Sequence, residues 1–223
     1  MSDQQLQKAF ETERNTIKKT IQQGEIPAAI FDAINAHHKR TDEANTSIEA
    51  YSNVTTSCKK GCDFCCHFKV EAGPEEIFLI VDYIVKHFDQ AELDTVLETA
   101  QANQNIISDL TQEKRIKTNL ACALLRNGKC SVYSVRPSAC RKMHSLDVET
   151  CKSSFDKPED TTIQNSEVPL IASVLLSIGS AARQGLNDVG LDSNLYDLNE
   201  VLYDALKDSK YQKRWKNGKK AFV

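Results

Sequence analysis

The chain is organised around ten residues that read Cys58-Lys59-Lys60-Gly61-Cys62-Asp63-Phe64-Cys65-Cys66-His67. Four thiols in so short a run repel one another when ionised and oxidise readily, and a bound cation removes both problems. The spacing Cys62-x2-Cys65 lets two sulfurs converge on one tetrahedral ion or on one face of a cluster. Gly61 is predicted to take a positive φ angle, which would let the loop turn tightly beneath its sulfurs. The segment therefore predicts a metal site.

A second cysteine region, further along the chain, contains Cys122, Cys130 and Cys140. Asn127-Gly128 is a turn dipeptide, so we expect the chain to fold back there and to bring Cys122 toward Cys130. Pro137 fixes the backbone φ angle shortly before Cys140. These features add three cysteines to the candidate ligands.

Arg136 and Arg141 stand on either side of Cys140. Their positive charges would lower the pKa of nearby thiols and offset the negative charge of a thiolate-bound cofactor. We therefore interpret both as cofactor-binding residues. The alternative is that they are surface arginines paired with nearby acidic side chains.

The remaining cysteine and the histidines are weaker candidates. Cys151 stands alone in a polar stretch, and an isolated cysteine is more often a small apolar filler than a ligand. His67 and His144 are auxiliary ligand candidates only, because the cysteines already exceed what one centre needs. His37 and His38 lie far from the cysteines in sequence, so we interpret them as structural or solvated.

Composition favours helix, because Gly and Pro are sparse and residues with high helix propensity are common. Apolar residues recur with a helical period in successive segments. We predict an all-α fold of about six helices, with the cysteine-rich metal site on connecting loops. Two of the predicted helices have both ends predicted: one spans 3–22, and one spans 168–184 with Gly185 as its cap. For the other four only the start is predicted: after Pro27, at Gly73-Pro74, after a capping box at Asp89-x-x-Glu92, and at Asp192 or Ser193.

We divide the chain into an N-terminal helical extension (1–55), a cysteine-cluster domain (56–206) and a basic tail (207–223). The tail holds seven basic residues against Asp208, whereas the rest of the chain holds 21 basic and 30 acidic residues. We interpret the tail as a solvated, frayed end or as a segment that docks on the acidic body. Nucleic-acid binding is not expected, because the chain lacks net positive charge and any recognised binding motif.

The chain starts with polar residues, so we expect no signal peptide. Its longest apolar stretch, 168–182, is interrupted by Pro169 and Gly179, so we expect no membrane span. These features favour a cytoplasmic protein, where thiols stay reduced. Eight cysteines in that compartment indicate metal binding rather than disulfides.

The two cysteine regions together resemble the YkgJ-type cysteine-cluster family of zinc- or iron-chelating domains. The resemblance rests on two blocks, Cys58-x3-Cys62-x2-Cys65-Cys66 and Cys122-x7-Cys130-x2-Tyr133-x2-Arg136-Pro137-x2-Cys140-Arg141. It covers roughly residues 56–144. Ala123 stands where the family often has proline. A flagellin lysine methylase that carries an iron–sulfur cluster is similar to this family, so the resemblance also implies redox or protein-modifying chemistry.

Seven cysteines match the family pattern, which exceeds the four ligands of a tetrahedral zinc ion or of a [4Fe–4S] cluster. Our first set for a single centre is Cys58, Cys62, Cys65 and Cys140, followed by Cys66, Cys122 and Cys130. Adjacent Cys65 and Cys66 point in different directions, so they could serve two centres. We favour an iron–sulfur cluster over zinc.

The sequence thus predicts a metal-binding protein. The alternatives are a methylase-like iron–sulfur enzyme that modifies protein, and a zinc-stapled interaction module that would have a protein partner.

Overall fold

The structure is a computed structural model that describes residues 1–59 and 61–223; Lys60, inside the first cysteine segment, lies outside the described residues. The described chain is mostly helical, at 63% helix, which confirms the predicted helical class. It has ten α-helices, two 3₁₀ helices (64–67 and 133–135) and four two-residue strands.

The α-helices are α1 Asp3–Gln22, α2 Ala28–Ser52, α3 Pro74–His87, α4 Gln90–Ser108, α5 Gln112–Ile116, α6 Ser138–Lys142, α7 Val148–Asp156, α8 Pro169–Asn187, α9 Leu198–Lys207 and α10 Lys210–Lys216. The strands are β1 Glu71–Ala72, β2 Leu125–Arg126, β3 Lys129–Cys130 and β4 Tyr196–Asp197.

The predicted count of about six helices was too low. Three short helices, α5, α6 and α7, lie in segments with too few residues to show a helical period. The last predicted helix is α9, which starts at Leu198 and not at Asp192 or Ser193, and α10 lies in the segment that was predicted to be a tail. The side chain of Asp192 instead accepts hydrogen bonds from Tyr196 Oη (2.7 Å) and from the backbone N–H of Ala221 (2.8 Å).

Three of the long helices begin at local sequence signals, namely capping boxes and a proline in the first turn. Ser2 and Gln5 form a capping box at the start of α1, and Asp89 and Glu92 form the predicted one at the start of α4. Pro74 occupies the first turn of α3, where its missing N–H costs no hydrogen bond.

Helix α8 packs against α1 and α2. Gly185, predicted to cap this helix, instead lies within it. A Cβ atom at Gly185 would lie 2.8 Å from the carbonyl oxygen of Arg14 and 3.0 Å from Cβ of Ile17, both on α1. Gly185 is therefore explained by close helix packing rather than by helix termination.

Two short antiparallel pairs connect distant parts of the chain to the cysteine segments. Strand β1 pairs with β4, with Glu71 opposite Asp197, and thereby fixes the residues that follow the first cysteine segment. Strands β2 and β3 form a hairpin in which Leu125 lies opposite Cys130. Asn127 and Gly128 both have positive φ angles, which confirms the predicted turn.

The main core draws on α1, α2, α3, α4, α8, α9 and α10. Trp215 of α10 is fully buried against Phe78 of α3, with ring centroids 5.2 Å apart. Ala221 and Phe222 are also buried, so the basic tail docks on the body of the protein and is not frayed. Among the described residues, no helix is both long enough and apolar enough to cross a membrane.

Candidate metal centre

The first cysteine loop is anchored at its start by two hydrogen bonds of Ser57. The backbone N–H of Ser57 donates to the carbonyl of Ser145 (2.7 Å), and its hydroxyl donates to the carbonyl of Leu146 (2.7 Å). Gly61 has φ +92°, which confirms the positive value predicted for the turn beneath the sulfurs. The loop therefore holds Cys58 and Cys62 against the segment that joins α6 and α7.

Cys65 and Cys66 lie on the 3₁₀ helix that follows this loop. The carbonyl of Cys66 accepts a hydrogen bond from the backbone N–H of Cys122 (2.9 Å), so this helix joins the first cysteine segment to the second. The two thiols hydrogen-bond each other, and this contact together with burial raises the pKa of Cys65 far above its ordinary value.

Cys122, Cys130 and Cys140 form a partly buried group next to Cys65. Burial is the largest cause that raises the pKa of each of the three thiols, to about 12 for Cys122. The charges of neighbouring thiolates raise it further: Cys140 is affected by Cys122, Cys65 and Cys130, and Cys122 by Cys130 and Cys65. Cys122, Cys130 and Cys140 pack against the main core, and we call these three residues the inner thiol group.

Cys58 and Cys62 lie with Cys151 in a more exposed group, which also adjoins Cys65. Partial burial raises the pKa of Cys58 and of Cys62, and the charges of Cys65 and Cys151 raise both further. Helix α7 brings Cys151 here because Phe155, one turn further on, packs against Phe64 (ring centroids 5.6 Å apart). We call Cys58, Cys62 and Cys151 the outer thiol group.

Cys151, which the sequence suggests is a filler, lies beside two predicted ligands, Cys58 and Cys62. Its position depends on the packing of α7 on the 3₁₀ helix, a contact between residues about ninety positions apart. The only local signal was the pair of aromatic residues, Phe64 and Phe155, that flank the cysteines in sequence. The first predicted ligand set of Cys58, Cys62, Cys65 and Cys140 draws members from both groups.

The donor set fits a thiophilic metal by its chemistry. All eight cysteines are free thiols, and thiolates prefer zinc, copper(I) or iron–sulfur clusters over magnesium or calcium. Within the described residues, no three Cys, His, Asp or Glu side chains converge closely enough to hold a metal ion as they stand. A cysteine must lose its proton to bind a metal, so metal binding at these thiols with raised pKa values would release protons.

Arg136 and Arg141 both pair with Asp42 of α2. Arg136 donates to Asp42 at 3.2 Å and stacks over the ring of Tyr133, and Arg141 is buried while it donates to the same carboxylate. Burial raises the pKa of Cys130, and the charges of both arginines oppose that rise. The two readings of these arginines are therefore compatible, because they pair with an acid and also act electrostatically on a thiol.

His67 and His144 have ring nitrogens engaged with the backbone. Nδ1 of His67 donates to the carbonyl of Asp63 (3.1 Å). Nδ1 of His144 donates to the carbonyl of Lys142 (2.8 Å), and its Nε2 accepts from the N–H of Val168 (2.9 Å). A metal at His144 would have to displace one of these bonds, so we keep the cysteines as the ligand candidates.

A buried polar network fixes α6, the helix that carries Cys140. Oε1 of Glu76 accepts from the hydroxyl of Ser138 (2.7 Å) and pairs with Nε2 of His38 (3.0 Å). Burial opposes ionisation of Glu76, but the hydrogen bonds from His38 and Ser138 outweigh it and lower the pKa of this carboxyl. His37 extends the network, because its Nε2 lies 3.2 Å from the hydroxyl oxygen of Ser138 and its Nδ1 lies 2.8 Å from Oε1 of Glu13, which Arg40 also holds. His37 and His38 are thus buried and structural, as the sequence indicated.

The cysteine segments match one known family. Residues 57–166 match the family model CxxCxxCC, described as "Putative zinc- or iron-chelating domain", which confirms the predicted resemblance. No curated protein and no solved structure matches the chain.

Proposed function

We propose that this chain is a metal-binding protein whose clustered cysteines hold an iron–sulfur cluster, and the match of residues 57–166 to the CxxCxxCC family model supports this. That match supports binding of zinc or iron in general. The observation that carries the finer proposal is the arrangement of the thiols in two groups that meet at Cys65.

The inner thiol group could hold the proposed iron–sulfur cluster. Together with Cys65 it offers four thiols, a number that suits a [4Fe–4S] cluster as well as a tetrahedral zinc ion. A cluster bound by four thiolates carries negative charge, and Arg136 and Arg141 lie close enough to affect Cys130 electrostatically. When bound, the cluster would supply one-electron redox chemistry or iron for transfer, while the protein holds the thiolates and shields them from solvent.

The outer thiol group would then be a second set of ligands. Its most accessible member is Cys58, which is exposed, whereas Cys62 and Cys151 are half-buried. Accessible thiolates suit metal exchange, because an incoming ligand can approach them. Free thiols at all eight positions also fit the reducing cytoplasm, which we propose as the site of action.

The identity of the metal tests the proposal directly. We expect protein purified without oxygen to be brown and to contain iron and sulfide in similar amounts, as measured by elemental and sulfide analysis and by visible absorption. A matched sample exposed to air should lose its colour, because oxygen attacks accessible clusters.

Oxygen-free protein that is colourless and contains only zinc would contradict the cluster. A zinc-stapled interaction module, in which the metal only stabilises the fold, would then be the better account, and circular dichroism after chelation would test it. The methylase-like alternative would lose its main support with the cluster.

A further inference from the structure

A cavity of about 530 Å³ lies between α2, α3, α6 and α8, and the proposed metal centre does not use it. This volume falls in the range of about 300–1,000 Å³ that is typical of small-molecule sites. Its walls are largely apolar, with Ile34, Met143 and Leu175 among them. Gly179 leaves the α8 wall open, because a Cβ atom there would meet no heavy atom of the described residues within 4 Å.

A buried carboxyl group lines this cavity without a full set of partners. The side chain of Glu75 is 3% exposed, and among the described residues its Oε2 has no hydrogen-bond partner. Burial raises the pKa of Glu75, and the neighbouring carboxylate of Glu76 raises it further. The group is therefore mostly neutral at pH 7 and can donate a hydrogen bond.

Two half-buried cations line the same cavity. In the part of the chain that the structure describes, Arg183 and Lys142 have neither an ion pair nor a side-chain hydrogen bond. The other charged groups of the lining have partners, since Lys69 pairs with Glu71 at 2.8 Å and the Glu76 carboxylate is hydrogen-bonded to Ser138 and His38. The cavity thus combines excess positive charge, a neutral hydrogen-bond donor and apolar walls.

We propose that this cavity binds an organic carboxylate with an apolar tail. Arg183 and Lys142 hold the carboxylate, the Glu75 carboxyl donates a hydrogen bond to it, and the tail lies along Leu175 and Ile34. A guanidinium can bind both carboxylate oxygens at once, which gives the site its preference for this head group. An incoming carboxylate would also give the buried Oε2 of Glu75 the partner that it lacks.

Isothermal titration calorimetry of the full-length protein with sodium octanoate tests this assignment. We expect saturable binding of octanoate below about 10 mM and none of octylammonium chloride, which has the same tail and the opposite charge. Arg183→Gln should weaken octanoate binding about tenfold or more, and Lys39→Gln on the exposed face of α2 should leave it unchanged. Binding of the amine as tight as that of octanoate, or no octanoate binding by the wild-type protein, overturns the proposal.

A second pair of variants works even if Arg183→Gln fails to fold. Gly179→Leu should fill the cavity and abolish octanoate binding, whereas Gly179→Ala, a much smaller addition at the same position, should keep the affinity within about twofold. Both changes favour the helix, so circular dichroism should show an intact fold. Unchanged octanoate binding by Gly179→Leu would place the ligand elsewhere and reject this cavity.

The pH dependence separates a role for Glu75 from simple charge attraction. Because the pKa of Glu75 is raised to about 8, its carboxyl is a donor below that pH and a repelling anion above it. Octanoate affinity should fall about fivefold or more between about pH 7.5 and 9, and Glu75→Gln should remove this fall. The charged groups that face Glu75 are Glu76, Arg183 and Asp192, and the pKa of each of the two carboxyls is lowered. A fall that persists in Glu75→Gln would contradict the assigned donor.

Discussion

At the scale of single residues, Cys65 is the thiol on which both cysteine groups converge. It raises the pKa of Cys58 and Cys62 in the outer group and of Cys122, Cys130 and Cys140 in the inner group. Its own pKa is raised by its hydrogen bond with Cys66 and by burial. The carbonyl of Cys66 accepts a hydrogen bond from the N–H of Cys122, so the pair Cys65-Cys66 is also joined to the inner thiol group through the backbone.

The assignment of Cys151 to the outer group makes a prediction that differs from its sequence-based interpretation as a filler. Cys151→Ser should lower bound metal to the same level as Cys62→Ser, because both remove one sulfur from the same group. Metal per protein is measured on samples prepared without oxygen, and Ser153→Ala, an exposed change on the same helix, is the control. Full metal retention in Cys151→Ser together with loss in Cys62→Ser would return Cys151 to the role of a filler.

At the scale of elements, helix α8 meets three different environments along its length. It meets α1 so closely at Gly185 that no side chain fits, it packs its N-terminal half on α2 through Ile171 and Leu175, and it opens onto the cavity at Gly179. Gly179 and Gly185, six positions apart in one helix, therefore differ in what surrounds them: Gly185 lies at a close helix contact, and Gly179 faces open space.

This difference predicts opposite effects of the same substitution. Gly185→Ala should destabilise the protein by about 1–3 kcal/mol, because the added methyl would overlap the backbone of α1. Gly179→Ala should stabilise it by about 0.5–1 kcal/mol, because the added methyl meets open space and alanine favours the helix. Chemical denaturation of the two variants and the wild type measures both values. Equal destabilisation by the two changes would show that the contact with α1 is not the cause.

Sequence patterns predicted the elements that depend on nearby residues. Helix α1 spans Asp3–Gln22 as predicted, because its apolar period and the Ser2 cap are local. Asp192 was wrongly predicted as a possible helix start. Its carboxylate instead accepts a hydrogen bond from Ala221, 29 positions away, and no local pattern reveals such a contact. The position of Cys151 beside Cys58 and Cys62 could not be predicted for the same reason, since it depends on the contact of Phe155 with the distant Phe64. The cysteine spacing indicated the metal chemistry but could not show that the thiols form two groups.

At the scale of the whole molecule, the main core includes residues from all three predicted segments. Ile17 and Ile34 come from the N-terminal extension, Phe78 and Leu202 from the cysteine domain, and Trp215 from the tail. Arg14 of α1 also pairs with Asp188 at 2.6 Å, at the far end of α8. We infer that the three segments fold as one cooperative unit, although the sequence divides them by composition.

Trp215 makes this inference measurable, because it is the one tryptophan of the chain and lies in the tail. Its fluorescence and the far-ultraviolet circular dichroism of the helices should report the same thermal midpoint, since two-state unfolding gives coincident transitions. Removing the metal with a chelator should lower both midpoints together, because a ligand that binds only the folded state stabilises the whole unit. The three short helices α5, α6 and α7 carry or adjoin cysteines. If the protein instead unfolded in separate parts, these helices should lose order first when the metal is removed. A fluorescence midpoint that stays fixed while the circular dichroism midpoint falls would show that the tail folds separately from the metal centre.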